Sequence, residues 1–215
     1  MALDLTADDV LTTTRSVRKR LDYERPVPRD VVEKCAQLAF QAPNGGNVQA
    51  WGWVCVDDPK IKAAMADLYR QGMRDHINRD RTGEAPYVPG GDAEGARRMT
   101  ESVMHLHDRM QDVPVLLVPT IDGRLDKASV FNQASRWGSI LPGVWNFMLA
   151  LRSRGLGSAW TTVTLYREQE MAELLGIPYD RHTQAGLFPV AYTRGTSFKA
   201  ADRSKSRVRW NGWKG

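Results

Sequence analysis

Cysteine is nearly missing: Cys35 and Cys55 are the only two in 215 residues. One lies in a helical pattern and one in a strand pattern, with no metal-knuckle or redox-pair spacing. Disulfide scaffolds and zinc ribbons are therefore excluded, and two buried, reduced thiols are expected. Long apolar runs are missing as well. The stretches 113–121 and 140–151 are broken by Pro114, Pro119, Pro142 and Asn146, and fall short of the ~18 residues a membrane helix needs. The opening residues carry Asp4, Asp8 and Asp9 with no apolar run behind them, so no secretory leader is expected and the cytoplasm is the expected location. There is no Gly-x-Ser-x-Gly elbow and no Walker loop, which removes the usual support for hydrolase and P-loop readings.

Some partial signals also fail on inspection. Gly155-Leu-Gly157 begins like a dinucleotide fingerprint, but Trp160 stands at the third glycine position and the motif follows a helix instead of a strand. The glycines are better read as ending that helix and admitting a close backbone approach. His105 and His107 are two apart and diverge on a helix, with no further ligand nearby, so structural or surface roles are expected. His182 falls in a polar turn.

What is present suits one domain over 1–215: 42% hydrophobic residues can fill a core of this size, and the net charge of +5 is spread over interspersed acids and bases. Local exceptions are the basic clusters at 15–20 and 203–209. They either converge on one phosphate or form two solvated faces. Thr6 and Asp9 form a capping-box pattern for a short first helix. Pro28 precedes a helical face through Val31, Val32, Cys35, Leu38 and Ala39, stopped by Pro43 and the Gly45-Gly46 pair. Residues 51–56 read as a strand, followed by a helix to about Gln71. Residues 72–95 are glycine- and proline-punctuated, and helical signal resumes from about Ala96 to Met110. The excursion 72–110 is thus expected to be a lid over the active site. Residues 113–121, 158–163 and 187–192 read as strands and 167–175 as a helix. The apolar helix 128–154 is expected to be buried on several sides, with a partner subunit as its natural cover.

The informative pattern is distributed in order along the chain: Arg15-Ser-Val-Arg18, Ala42-Pro-Asn-Gly-Gly-Asn-Val-Gln-Ala-Trp51, Gly155-Leu-Gly-Ser-Ala-Trp-Thr-Thr162, Leu174-Leu-Gly-Ile-Pro178, and the basic stretch 203–210. It resembles the FMN-dependent nitroreductase family over nearly the whole chain outside 72–110. Asn44 and Ala50 depart from the family's usual Ser and Pro.

The resemblance implies an α+β fold, a three-layer α-β-α sandwich with a mostly antiparallel sheet, in an intertwined homodimer. It implies FMN as cofactor, NADPH or NADH as electron donor, and a small electron-poor organic acceptor such as a nitroaromatic or quinone, reduced in ping-pong turns. Arg15, Ser16, Arg203 and Lys205 would hold the phosphate. Arg18 would stabilise negative charge on the reduced ring. Pro43, Asn44, Gly45 and Asn47 would reach the cofactor from the neighbouring subunit, and Trp160, Thr161, Thr162 and Val163 would line the ring edge. The flavin carries the chemistry, so no acid-base side chain and no metal is expected. The rivals are a flavin-destroying or dehalogenating relative and, in a different class, a basic nucleic-acid-binding module. Binding to nucleic acid or membrane is not expected.

Overall fold

The computed structural model describes residues 2–79, 92–203 and 208–213. Thr6 caps helix α1 (Ala7–Thr13) by the expected reciprocal box with Asp9. Helix α2 (Arg29–Ala39) follows Pro28 and buries Val32, Cys35 and Ala39. Strand β1 (Trp51–Val56), helices α3 (Pro59–Arg79) and α4 (Ala93–Arg109), strand β2 (Val115–Asp122) and helix α5 (Val130–Arg152) come next. The chain continues with β3 (Leu156–Gly157), α6 (Glu168–Leu175), β4 (His182–Gln184) and β5 (Phe188–Tyr192).

The sheet runs β1-β2-β5-β3, with β4 also on β2, and every pairing between named strands is antiparallel. Strand β2 is central and is buried from Val115 to Ile121. Its period of two divides the core, as an alternating strand covered on both faces must. Val115, Leu117 and Ile121 join Cys35, Ile140, Phe147 and Leu151 under α2 and α5. Leu116 and Val118 join Met65, Tyr69, Leu106 and Met171 under α3, α4 and α6. Two helical layers thus enclose one antiparallel sheet, the expected three-layer α+β sandwich.

Several local expectations need correction. Helix α3 does not end near Gln71 but continues to Arg79. Gly72 is in its interior, where a Cβ would sit 2.0 Å from the Val163 carbonyl oxygen, so this glycine marks a close helix crossing instead of a break. Helix α4 starts at Ala93, capped by Asp92. The central part of the proposed lid, 80–91, lies outside the described residues. The strand expected over 158–163 is shorter: β3 covers Leu156–Gly157, Thr161 makes an isolated bridge to Leu187, and Val163–Arg167 winds into a 3-10 turn. His182 opens β4, and its Nε2 lies 3.3 Å from Asp122. Cys35 is buried as expected, but Cys55 is exposed, at a β1 position that lines a hollow with Arg29, Val32 and Glu33 of α2.

Candidate functional site

The first basic cluster is placed by the chain segment that follows β3. Ser16 bridges Ser158 in parallel sense, and the Val17 amide donates to the Ser158 carbonyl at 2.8 Å. This approach requires Gly157, since a Cβ there would lie 2.9 Å from the Cβ of Val17. Arg15 to Arg18 therefore run beside residues 156–160, as the distributed pattern requires. Arg15 donates to the carbonyl of Lys199, while its Nε is buried without a hydrogen-bond partner among the described residues. The Ser158 hydroxyl, missed from the sequence, is buried and unpartnered in the same sense. Arg20 clamps the segment beyond β5 by donating to the carbonyls of Arg194, Gly195 and Ser197 at 3.1, 2.8 and 2.8 Å. Arg203 is exposed and donates to the Asp202 carbonyl at 3.1 Å. Lys205 lies outside the described residues.

Arg18 and the run Trp160 to Val163 line one wall of a cavity of about 720 Å³. The opposite wall comes from α3 and α4 and is mostly apolar, with Met73, Ile77, Met99 and Val103. Trp160 is held on edge by its indole N–H, which donates to the Ala185 carbonyl at 2.7 Å. The Thr161 hydroxyl donates to the Leu187 carbonyl at 2.7 Å, and the Thr161 amide and carbonyl pair with Leu187 as well, so this residue ties the cavity wall to the chain just before β5. Burial pushes the Tyr69 hydroxyl up to about 12, against the opposing charge of Arg18. Tyr69, Met73, His76 and Ile77 form one helical stripe that continues past Gly72. Reading Gly72 as a stop hid its second half; the continued spacing was the available signal.

The loop 43–50 is elsewhere. Asn44 and Gly45 line a separate hollow with Asn132, Ser135, Arg136 and Ser139, sharing no residue with the large cavity. Asn44 Oδ1 accepts the Gln49 amide at 2.9 Å, Gly45 donates its amide to the Ser139 hydroxyl at 3.0 Å, and Gln49 donates to Asn47 at 3.2 Å. Asn47 and Gln49 both take φ of 54°, a conformation that asparagine tolerates better than most side chains. The departure at 44 thus has a physical role: a longer amide spans the loop and fixes its shape. Pro43 opens this loop and is exposed.

An antiparallel sheet between two helical layers, with a cavity large enough for a small molecule and Arg18 in its wall, defines an α+β fold with one clear ligand-sized site among the described residues. The nitroreductase family profile matches residues 11–192, and the chain belongs to that family. A chloronitrobenzene nitroreductase from Comamonas testosteroni is 26% identical over 203 residues, covering 84% of each chain. The fold is similar to that of an iodotyrosine deiodinase crystallised with FMN and 3-iodo-L-tyrosine, with a TM-score of 0.72, 22% identity and coverage of 97% of this chain and 100% of the other. It is also similar to an FMN-bound nitroreductase from Desulfitobacterium hafniense, with a TM-score of 0.64, 17% identity and coverage of 94% and 96%. No described helix is long and apolar enough to cross a membrane, and no described group of His, Cys, Asp and Glu is arranged to hold a metal.

Proposed function

We propose that this chain is an FMN-dependent oxidoreductase that takes reducing equivalents from NADPH or NADH and passes them to a small electron-poor acceptor, a nitroaromatic or quinone. The observation that carries this reading is the cavity walled by Arg18 and Trp160 to Val163 on one side and by apolar side chains of α3 and α4 on the other. The residues fit the cofactor: the Arg15 Nε and the Ser158 hydroxyl, buried and without a partner among the described residues, are donors in want of an acceptor beside a basic segment. Arg15 and Ser16 would hold the phosphate with Arg203 and Lys205, and Arg18 would stabilise negative charge on the ring. When bound, FMN supplies the hydride chemistry in ping-pong turns. The protein's part is to bind, to orient and to keep the cavity apolar. The single domain 1–215, with 72–110 as a cover over the cavity, belongs to the same reading.

The proposal includes a homodimer. Pro43, Asn44, Gly45 and Asn47 stand apart from the cavity of their own chain, which suits a loop that serves a neighbour's. Phe131 on α5 is 78% exposed and Trp145 is 41% exposed, while Trp210 and Trp213 are exposed above 80%. Large apolar side chains left open together mark an interaction surface.

The absorption spectrum of the purified protein, followed by oxidation of NADPH and NADH with a nitroarene, tests the reading. A yellow protein that releases FMN on denaturation and consumes reductant with the nitroarene is expected. A protein that stays colourless with added FMN would sink the cofactor assignment. Release of halide from a haloaromatic, or of a flavin fragment, would transfer it to the dehalogenating or flavin-destroying class.

A further inference from the structure

His76 on α3 and Tyr166 in the 3-10 turn 163–167 both line the large cavity, and the His76 Nδ1 lies 3.2 Å from the Tyr166 hydroxyl. Their rings are 5.9 Å apart. The pair is held from one residue away on each element, where Arg167 meets Asp75 at 2.7 Å. The Gly72 crossing brings the same two elements together. His76 is therefore fixed by packing and by a neighbouring ion pair, as a recognition group must be to discriminate between ligands.

Position along the helix gives the pair its reach. Tyr69 feels the charge of Arg18, and His76 is seven residues further on, about 10 Å at 1.5 Å per residue. That separation accommodates a substituted aromatic ring between the Arg18 end and the His76 end. The same lining carries Met73, Val103 and Leu165, which offer a ring contact, with Thr100 and Thr162 among its polar members. A tyrosine hydroxyl donating to Nδ1 places the proton of the neutral imidazole on Nε2 and makes it a donor.

We propose that His76, with its tautomer set by Tyr166, determines acceptor specificity: it selects planar aromatic acceptors that carry an oxygen hydrogen-bond acceptor distal to the reducible group. This deepens the oxidoreductase reading and rests on it for the word acceptor. His76 is a binding group here and transfers no proton.

The test compares 4-nitroacetophenone with 1-isopropyl-4-nitrobenzene, close in shape but differing in the one carbonyl oxygen. Calorimetric dissociation constants are measured on the protein as purified, for wild type, His76→Phe, His76→Gln and Tyr166→Phe. One neutral hydrogen bond corresponds to a preference of about five- to tenfold for the ketone in wild type. The preference should vanish in His76→Phe, return in part in His76→Gln, and weaken in Tyr166→Phe. In turnover the loss should appear in KM and leave kcat little changed. Equal affinities in wild type, or a preference that survives His76→Phe, overturn the proposal. Absence of NADPH- or NADH-driven turnover would count against the hydride-transfer reading, whereas the binding preference is measured without turnover and reports on the His76–Tyr166 pair.

Discussion

Arg15 divides its guanidinium between a carbonyl of the segment beyond β5 and a buried Nε with no partner among the described residues. Removing it should weaken FMN retention by ~1.5–3 kcal/mol, the worth of a charged hydrogen bond in a partly dry site. Arg203 is exposed, so Arg203→Ala should weaken retention less, and lysine should partly rescue both positions. Flavin content after dilute dialysis measures this; full occupancy in Arg15→Ala would remove that residue from the phosphate site. Acid-base behaviour is also set residue by residue. Burial raises Cys35 from 9.0 to about 11 and Tyr69 from 10.0 to about 12. Both groups are neutral when protonated, so the folded state binds their protons more tightly than the unfolded chain. Their contribution is complete below pH 9 for the thiol and below pH 10 for the phenol, and is lost as pH rises through about 11 and 12. Urea midpoints falling progressively above pH 9 are the expected result, with a shallower fall in Cys35→Ala once its lower baseline stability is subtracted. A fall of equal steepness would assign the alkaline loss to other groups.

At the scale of elements, the crossing of α3 over the 3-10 turn is the most demanding contact. Gly72→Ala should cost about 1–3 kcal/mol, because a Cβ would meet backbone oxygen that cannot rotate away. Denaturant unfolding tests it; unchanged stability would mean that the two elements separate freely. This crossing also shows what the sequence made legible. The Thr6 box identified α1, the apolar face behind Pro28 α2, the long apolar run α5 and the Gly176 stop α6, since each cause is local. Gly72 was misread because a glycine chosen for a distant backbone looks the same, in one dimension, as a glycine that ends a helix. The strand expected at 158–163 is shorter for a related reason. Among the described residues its backbone meets distant chain only at two single bridges, Ser158 to Ser16 and Thr161 to Leu187, and Val163 turns into the 3-10 segment. Arg18 and the 160–163 run line one cavity, and Arg15 reaches Lys199 outside its lining; the α3 and α4 wall did not emerge from the sequence, because helix faces become a cavity only after packing.

Across the whole molecule, the predicted cofactor residues fall in two places within one chain, and a symmetric pair of chains is the simplest arrangement that reunites them. Arg15→Ala and Asn47→Ala subunits, refolded together, should then recover activity above either alone, because one of the two sites in the mixed dimer receives both intact halves. Light scattering should show a dimer. An active, flavin-loaded monomer, or mixed subunits with no recovery, would count against a shared site.

The clamp of Arg20 on the carbonyls of Arg194, Gly195 and Ser197 has a consequence for biosynthesis. A nascent chain halted before residue 194 already carries every arginine of the first cluster, but none of the carbonyls that Arg20 grips. Arg15 likewise waits for Lys199. This end of the fold therefore takes shape late in translation, and in the proposed FMN reading cofactor capture would check that the far part of the chain has been made and has docked.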